Sequence, residues 1–545
     1  MKNLILFIIL LLNVPLHLSY GMKDYPISTK SNKDTVTVAP KDWYNLDIKK
    51  NNFNGVSTER AYNELLKNKK SRKVVVAILD SGVDFYHEDL KDNIWKNTDE
   101  IPGNGIDDDQ NGYIDDYNGW NFIGGKDGTH VNHDTYEVTR LYAMYKSKYE
   151  FIDTINLDLS ARKGFEEYHK IKKEYLKLKE RDEGMLRSAT FMKERYDKAE
   201  KTILGYLGTE SYSPEQLKDI KSEDDSLYEA AQLIMRLKRQ NFSPEKIKDG
   251  IERIENRVNF CLNLEFDPRN IVGDNYEKPD DRYYGNNSLI GPDADHGTHV
   301  SGIVAANRNN NLGIKGIADD VELMILRVVP DGDERDKDVA NAVFYAVDNG
   351  ANIINMSFGK GYSPFKEYVD KAFEYAADHG VLIVHAAGND SENNDIVANY
   401  PTRQYNSGKS CETWIEVGAL SWKKGLFMAA SFTNYGKKNV DLFAPGIDIY
   451  STSPEQQYRK ANGTSMSAPV VTGVAALVWS YYPQLTAKQL KSVILDSTVK
   501  YKKEKILLPG EFGKIVRFGD ISVTGGVVNA YRALKLAEKI AAKKG

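Results

Sequence analysis

Between residues 321 and 389 the chain alternates two kinds of segment. "VELMILRVV" (321–329) is a branched apolar run. "DKDVANAVFYAVDNG" (336–350) has helical spacing and a glycine stop. "ANIINMSF" (351–358) is again a strand, "YVDKAFEYAADHG" (368–380) a helix closed by glycine, and "VLIVHAAGN" (381–389) a third strand. Apolar runs without polar alternation are buried on both faces, and strands separated by helices pair in parallel. "KVVVAILD" (73–80) is a further run of this type and stops at an aspartate. The pattern predicts an α/β chain with a mainly parallel sheet covered on both faces. Functional groups in such sheets collect at the carboxyl ends of strands. Asp80 and Asn389 both stand there.

From about 126 to 280 the alternation stops. Lys, Glu and Tyr dominate, and Phe165, Tyr168, Ile171, Tyr175 and Leu178 fall on one helical face. Ser213-Pro214-Glu215 and Ser243-Pro244-Glu245 each give a serine N-cap with proline at the first helical position, and Gln216 completes a capping box. We read 126–280 as an all-α insertion that splits a domain made of 57–125 and 281–545. The two attachment points predict a lid or substrate-selecting wall. Residues 22–56 are polar and mixed, an N-terminal extension without a clear period.

The first 21 residues read "MKNLILFIILLLNVPLHLSYG". Lys2, the apolar run from Leu4 to Leu12, and the small residues Ser19 and Gly21 form a secretory signal pattern. The apolar run is short for a bilayer span, and no other segment is apolar enough to cross one. These features predict an exported protein, periplasmic or extracellular, without stable membrane insertion. A net charge of −5 over 545 residues gives no reason to expect a nucleic-acid partner. The two cysteines, Cys261 and Cys411, form either one bridge or two buried thiols. Nothing in the sequence sets the oligomeric state.

"NGTSMSAPVVTGVAAL" (462–477) places Ser465 at the mouth of a strongly apolar helix. A serine there is either a cap or a nucleophile, because the free N–H groups of a helix start stabilise an oxyanion as well as a side-chain oxygen. A nucleophile needs a base, and the base an orienting carboxylate. "DADHGTHVSGIVAANRN" supplies His296 and His299 at the start of another apolar helix, with small residues at Gly297, Ser301, Gly302 and Ala305 for close packing. His299 and His385 read as satisfied structural histidines.

Together these segments resemble the subtilisin-like serine proteases. "AILDSGVD" matches the family's aspartate motif, "HGTHVSG" its histidine motif, "AAGN" its oxyanion motif and "GTSMSAP" its serine motif. The resemblance implies a three-layer α/β sandwich. It also implies a triad of Asp80, His296 and Ser465 in the family's chain order, with Asn389 in the oxyanion hole. "ANIINMSFGKG" resembles the substrate strand, so Ser357, Phe358 and Gly359 are expected to pair with a peptide backbone. "NYP" resembles the S1 wall, with Asn399 where glycine is usual. Asn399 either shrinks and polarises that pocket or points away from it. Ser467 stands where alanine is usual.

Calcium is the expected cofactor. "DDDQNGYID" (107–115) offers Asp107, Asp109, Asn111 and Asp115 as oxygen ligands around a Gly112 turn. By resemblance, Asp89 in "HEDL" and Asn310 in "NNNLGIKG" form a second site. The expected partners are protein or peptide substrates. Two alternatives remain: a catalytically silent binding protein on the same fold, and an esterase using the same triad. The intact triad argues against the first and the substrate strand against the second. The family's folded propeptide has no clear counterpart before residue 70.

Overall fold

The computed structural model describes residues 38–153, 157–220, 224–240 and 242–542. The signal pattern at 1–21 and the start of the extension, 22–37, lie outside the described residues. Contacts divide the chain into two compact units. One is Val138–Phe266; the other combines Thr35–Glu137 with Asp267–Gly545. Residues 126–137 and 267–280, which sequence composition groups with the insertion, therefore belong with the sheet.

The larger unit is built on nine strands. Their order is Val499–Lys500, Gly526–Val527, Leu442–Pro445, Trp414–Leu420, Leu382–Ala386, Ile353–Met356, Val74–Asp80, Val321–Arg327 and Gly119–Asn121. All neighbours run parallel except the first pair. Strand Val74–Asp80 shows why. Val74, Val76 and Ile78 pack into one core with Val300 and Val470, which lie on helices Asp295–Ala305 and Thr464–Tyr481. Ala77 and Leu79 point the other way, into a core with Val339 and Phe373, on helices Asp336–Asp348 and Lys366–Asp378. A strand alternates its side chains, so only two apolar faces satisfy an unbroken apolar run. The result is the helix–sheet–helix sandwich expected of an α/β fold.

The extension also enters this unit. Trp43 and Tyr44 are fully buried. The Trp43 indole donates to the Ile447 carbonyl at 3.1 Å, and Asn45 to that of Lys315 at 2.9 Å. Two large aromatics in a polar segment give no periodic signal, which is why the sequence hides their role.

The helical unit holds a 49-residue helix, Leu159–Leu207, with shorter helices Asp225–Arg239 and Pro244–Asn256. Tyr168, Ile171 and Tyr175 are buried on the expected face. Farther along, Met192, Tyr196 and Ile203 share a core with Leu227, Ile234, Ile247 and Ile254. The Ser213 capping box with Gln216 is formed, and Ser243 caps its helix by accepting from the Lys246 N–H at 3.3 Å. Cys261 and Cys411 are buried and form no disulfide among the described residues.

Candidate active site

Asp80 ends its strand and is buried. Its Oδ1 accepts from the Ser81 N–H at 2.8 Å and lies 2.7 Å from His296 Nδ1. His296 is the second residue of helix Asp295–Ala305. Gly297 allows this approach, since a Cβ there would meet the Gly82 carbonyl oxygen at 2.1 Å and Asp80 Cβ at 3.1 Å. The helix is pinned from behind by Ser451 and Thr452, whose hydroxyls donate to the carbonyls of His299 and Thr298 at 2.8 and 2.7 Å. A carboxylate at Nδ1 places a proton on that nitrogen and leaves Nε2 as the free lone pair of the neutral ring. Burial pushes the His296 imidazolium down, but the charge of Asp80 and its hydrogen bond outweigh this and hold the group above its usual range. The side chain keeps 38% of its surface exposed, so the opposing desolvation is partial.

Ser465 is the second residue of helix Thr464–Tyr481. Its backbone N–H therefore has no acceptor within the helix. Its hydroxyl donates to the Ser357 carbonyl at 2.9 Å, and the Ser357 hydroxyl returns a bond to the Ser465 carbonyl at 2.9 Å. This reciprocal pair joins the serine helix to the end of strand Ile353–Met356. Ser467 is buried and donates to the Ala444 carbonyl at 3.0 Å.

Asn389 faces the same opening. Its Oδ1 accepts from the Thr464 backbone N–H at 2.9 Å and the Thr464 hydroxyl at 3.0 Å. A backbone N–H can only donate, which fixes the amide oxygen inward and turns the NH2 group toward the cleft. Two adjoining cavities of about 240 and 280 Å³ share Val329, Ser357 and Phe358. Asp80 and His296 line the first; Ser465, Asn389, Gly359 and Asn399 line the second. Asn399 donates to the Ala386 carbonyl at 3.2 Å and lies against Gly359, where a Cβ would meet its amide at 2.6 Å. The structure thus brings together the sequence candidates Asp80, His296, Ser465, Asn389, Ser357, Phe358, Gly359 and Asn399. A carboxylate–imidazole pair, a hydroxyl at a helix start and an inward amide are the parts that acyl transfer requires.

Residues 71–514 match the family model described as the subtilase family. The chain belongs to the subtilase family. This subtilase is a serine endopeptidase, a hydrolase acting on protein or peptide substrates. It is similar to subtilisin DY of Bacillus licheniformis, 38% identical over 201 residues that cover 36% of this chain and 68% of that protein. It is also similar to the major intracellular serine protease of Bacillus subtilis strain 168, 37% identical over 197 residues, covering 36% of this chain and 58% of that one. A solved structure of proteases from Pseudoalteromonas arctica aligns over 91% of this chain and 97% of its own, with 18% identity and a TM-score of 0.47. Among the described residues, no helix is long and apolar enough to cross a membrane.

His385 of the subtilase is a satisfied structural histidine, whereas the buried His299 is satisfied only at Nε2, its Nδ1 having no hydrogen-bond partner among the described residues. His299 Nε2 lies 3.1 Å from the Ile449 carbonyl oxygen, and burial pushes its imidazolium down to about 3. His385 sits between the Glu416 carboxylate at 3.0 Å and the Phe358 carbonyl at 2.9 Å, and so holds the end of the substrate-strand candidate.

The acidic loop is arranged differently from its linear pattern. The Asp107 carboxylate accepts from the Asn111 and Gly112 N–H groups at 3.0 and 2.9 Å. Asp115 accepts from Gly103, Asn104 and Gly105 N–H groups at 2.7–3.0 Å. Asp109 instead meets Glu100 and Asp116, with one oxygen of each within 4.8 Å of the others. The Asn111 amide donates to Asp109 and Asp116, both at 3.1 Å. Burial, then the neighbouring carboxylates, push Glu100 above its usual range. Burial also raises Asp116 against its hydrogen bonds. Three converging carboxylates fit a hard divalent cation. Asp89 and Asn310 meet at 2.8 Å. Glu100 and Asp116 escape sequence reading because neither occupies a position of the 107–115 pattern.

Proposed function

We propose that this subtilase is an exported endopeptidase that cleaves peptide bonds with Ser465 as nucleophile, His296 as general base and acid, Asp80 as the orienting carboxylate and Asn389 as oxyanion donor. The contact of His296 Nδ1 with Asp80 at 2.7 Å carries this reading. The Ser465 hydroxyl rotates from the Ser357 carbonyl toward Nε2 and gives up its proton as Oγ attacks the scissile carbonyl. Asp80 holds the tautomer and stabilises the imidazolium that forms. The Asn389 amide and the Ser465 backbone N–H receive the developing oxyanion. His296 then protonates the leaving amine, and water, deprotonated by His296, releases the acyl group. Residues 357–359 offer backbone groups for an extended substrate. Export rests on the signal pattern at 1–21. The full-length enzyme should digest casein, and the Ser465→Ala variant should not. Digestion at the parental rate by that variant would remove Ser465 from the mechanism.

Calcium is proposed as a structural ion held by Glu100, Asp109 and Asp116, with Asp89 and Asn310 at a second site. The ion supplies positive charge between carboxylates that otherwise repel each other. Chelation should lower the melting temperature and added calcium restore it. An unchanged melting curve in excess chelator would contradict this.

A further inference from the structure

The cavity that contains Ser465 and Asn389 is also lined by Asp333, Glu334 and Asp390. Glu334 differs from an ordinary surface acid. It is only 2% exposed, and its Oε1 is buried without a hydrogen-bond partner. The adjacent cation is already committed. The Lys360 ammonium lies 2.8 Å from Glu137, 2.8 Å from Asp336 and 2.7 Å from the backbone carbonyl of Glu334. These acceptors already engage the ammonium. The next cation in the chain, Arg335, is held by Asp134 at 2.7 Å and Asp267 at 2.8 Å. Glu334 is therefore a buried carboxyl with one unpartnered oxygen, in a residue that lines the cavity opening on the nucleophile.

An ionised carboxylate buried without a partner is strongly penalised, and a cation delivered to it removes that penalty. Burial pushes the Glu334 carboxyl up to about 8 even though Lys360 acts in the opposite direction. Burial thus favours the neutral acid, and a cation brought to it favours the carboxylate. Asn399, where an apolar pocket would want a small or aliphatic wall, adds a second polar group to the same cavity.

We propose that this cavity selects a lysine or arginine side chain at the substrate residue that carries the attacked carbonyl, with Glu334 as the recognising carboxylate. The inference rests on the peptidase reading above, because Ser465 and Asn389 define which substrate residue faces the cavity.

The test is a series of peptide anilides identical except for the residue before the scissile bond: Arg, Lys, Leu, Phe or Glu. The parental enzyme should show kcat/KM at least tenfold higher for Arg and Lys than for Leu and Phe. The Glu334→Gln variant should narrow the Arg-to-Leu ratio at least tenfold. A parental preference for Leu or Phe would overturn the proposal by itself, even if the variant failed to fold. An unchanged ratio in a folded variant would overturn it as well. Failure of the whole series, with no active-site probe adduct at Ser465, would overturn the peptidase reading and this inference with it.

Discussion

The two units handle charge in opposite ways. In the sheet unit, several charged side chains near the cleft are buried in fixed networks. Arg335, 4% exposed, makes two bonds to Asp134 at 2.7 and 2.9 Å. Arg269 does the same to Asp338 at 2.6 and 2.9 Å. Lys360, which directly follows the substrate-strand candidate 357–359, is held by Glu137 and Asp336. In the helical unit most pairs are exposed and one turn apart, such as Lys193 with Asp197 at 2.6 Å. One exception is the buried Asp182, which Arg257 meets at 3.0 Å where the chain returns to the long helix. Buried pairs tie distant segments into one geometry, and breaking one strands a charge. Exposed pairs add little and specify little. A cleft that must hold a carboxylate and an imidazole at 2.7 Å needs the first kind; a helical unit held by apolar faces does not.

Several substitutions sharpen this contrast. The largest effect should come at the cleft, where Asp80→Asn should lower kcat by about 10⁴-fold. It should also shift the pH profile. Activity requires neutral His296, so it falls as pH drops through a pKa that Asp80 raises, and removing the charge should move that inflection to lower pH. The linked stability has the opposite sense. A raised His pKa contributes stability fully below the unfolded value of about 6.5 and loses it as pH rises through the folded value. An unshifted inflection in the variant would detach His296 from Asp80.

Next in size is Arg335→Ala, which should destabilise the sheet unit by about 3–5 kcal/mol by breaking its buried pair with Asp134. Denaturant unfolding would measure it, and Asp134→Ala in the same chain should return part of the loss. Ser213→Ala removes a cap in the helical unit and should cost about 1 kcal/mol, seen as faster amide exchange within helix Pro214–Asp219. The smallest effect should be Lys193→Ala, below about 0.5 kcal/mol. If it matched the Arg335 variant, the contrast between the units would fail.

What the sequence reveals follows the same division. Strands buried on both faces leave unbroken apolar runs, and serine-proline caps leave a local signature, so the sheet and the helical block are both legible. Asp80, His296, Asn389 and Ser465 are legible because each sits at a strand end or helix start within a short motif. The run "DERDKD" (333–338) is not. Six consecutive charged residues carry no burial signal, yet Glu334 through Asp338 are all under 5% exposed, each of the other four with partners from other parts of the chain. Trp43 and Tyr44 are hidden for the same reason: their burial depends on segments hundreds of residues away. The acidic loop misleads because its spacing is local, whereas its carboxylate cluster recruits Glu100 from outside the pattern.

The central claim is that Ser465 is the nucleophile activated by His296. A fluorophosphonate probe reacts with a serine only where a base and an oxyanion site support it. Mature enzyme should be labelled, and the adduct, mapped by peptide mass spectrometry, should lie on Ser465 and disappear in the His296→Ala variant. An adduct on another serine, or undiminished labelling of Ser465 without His296, would contradict the account.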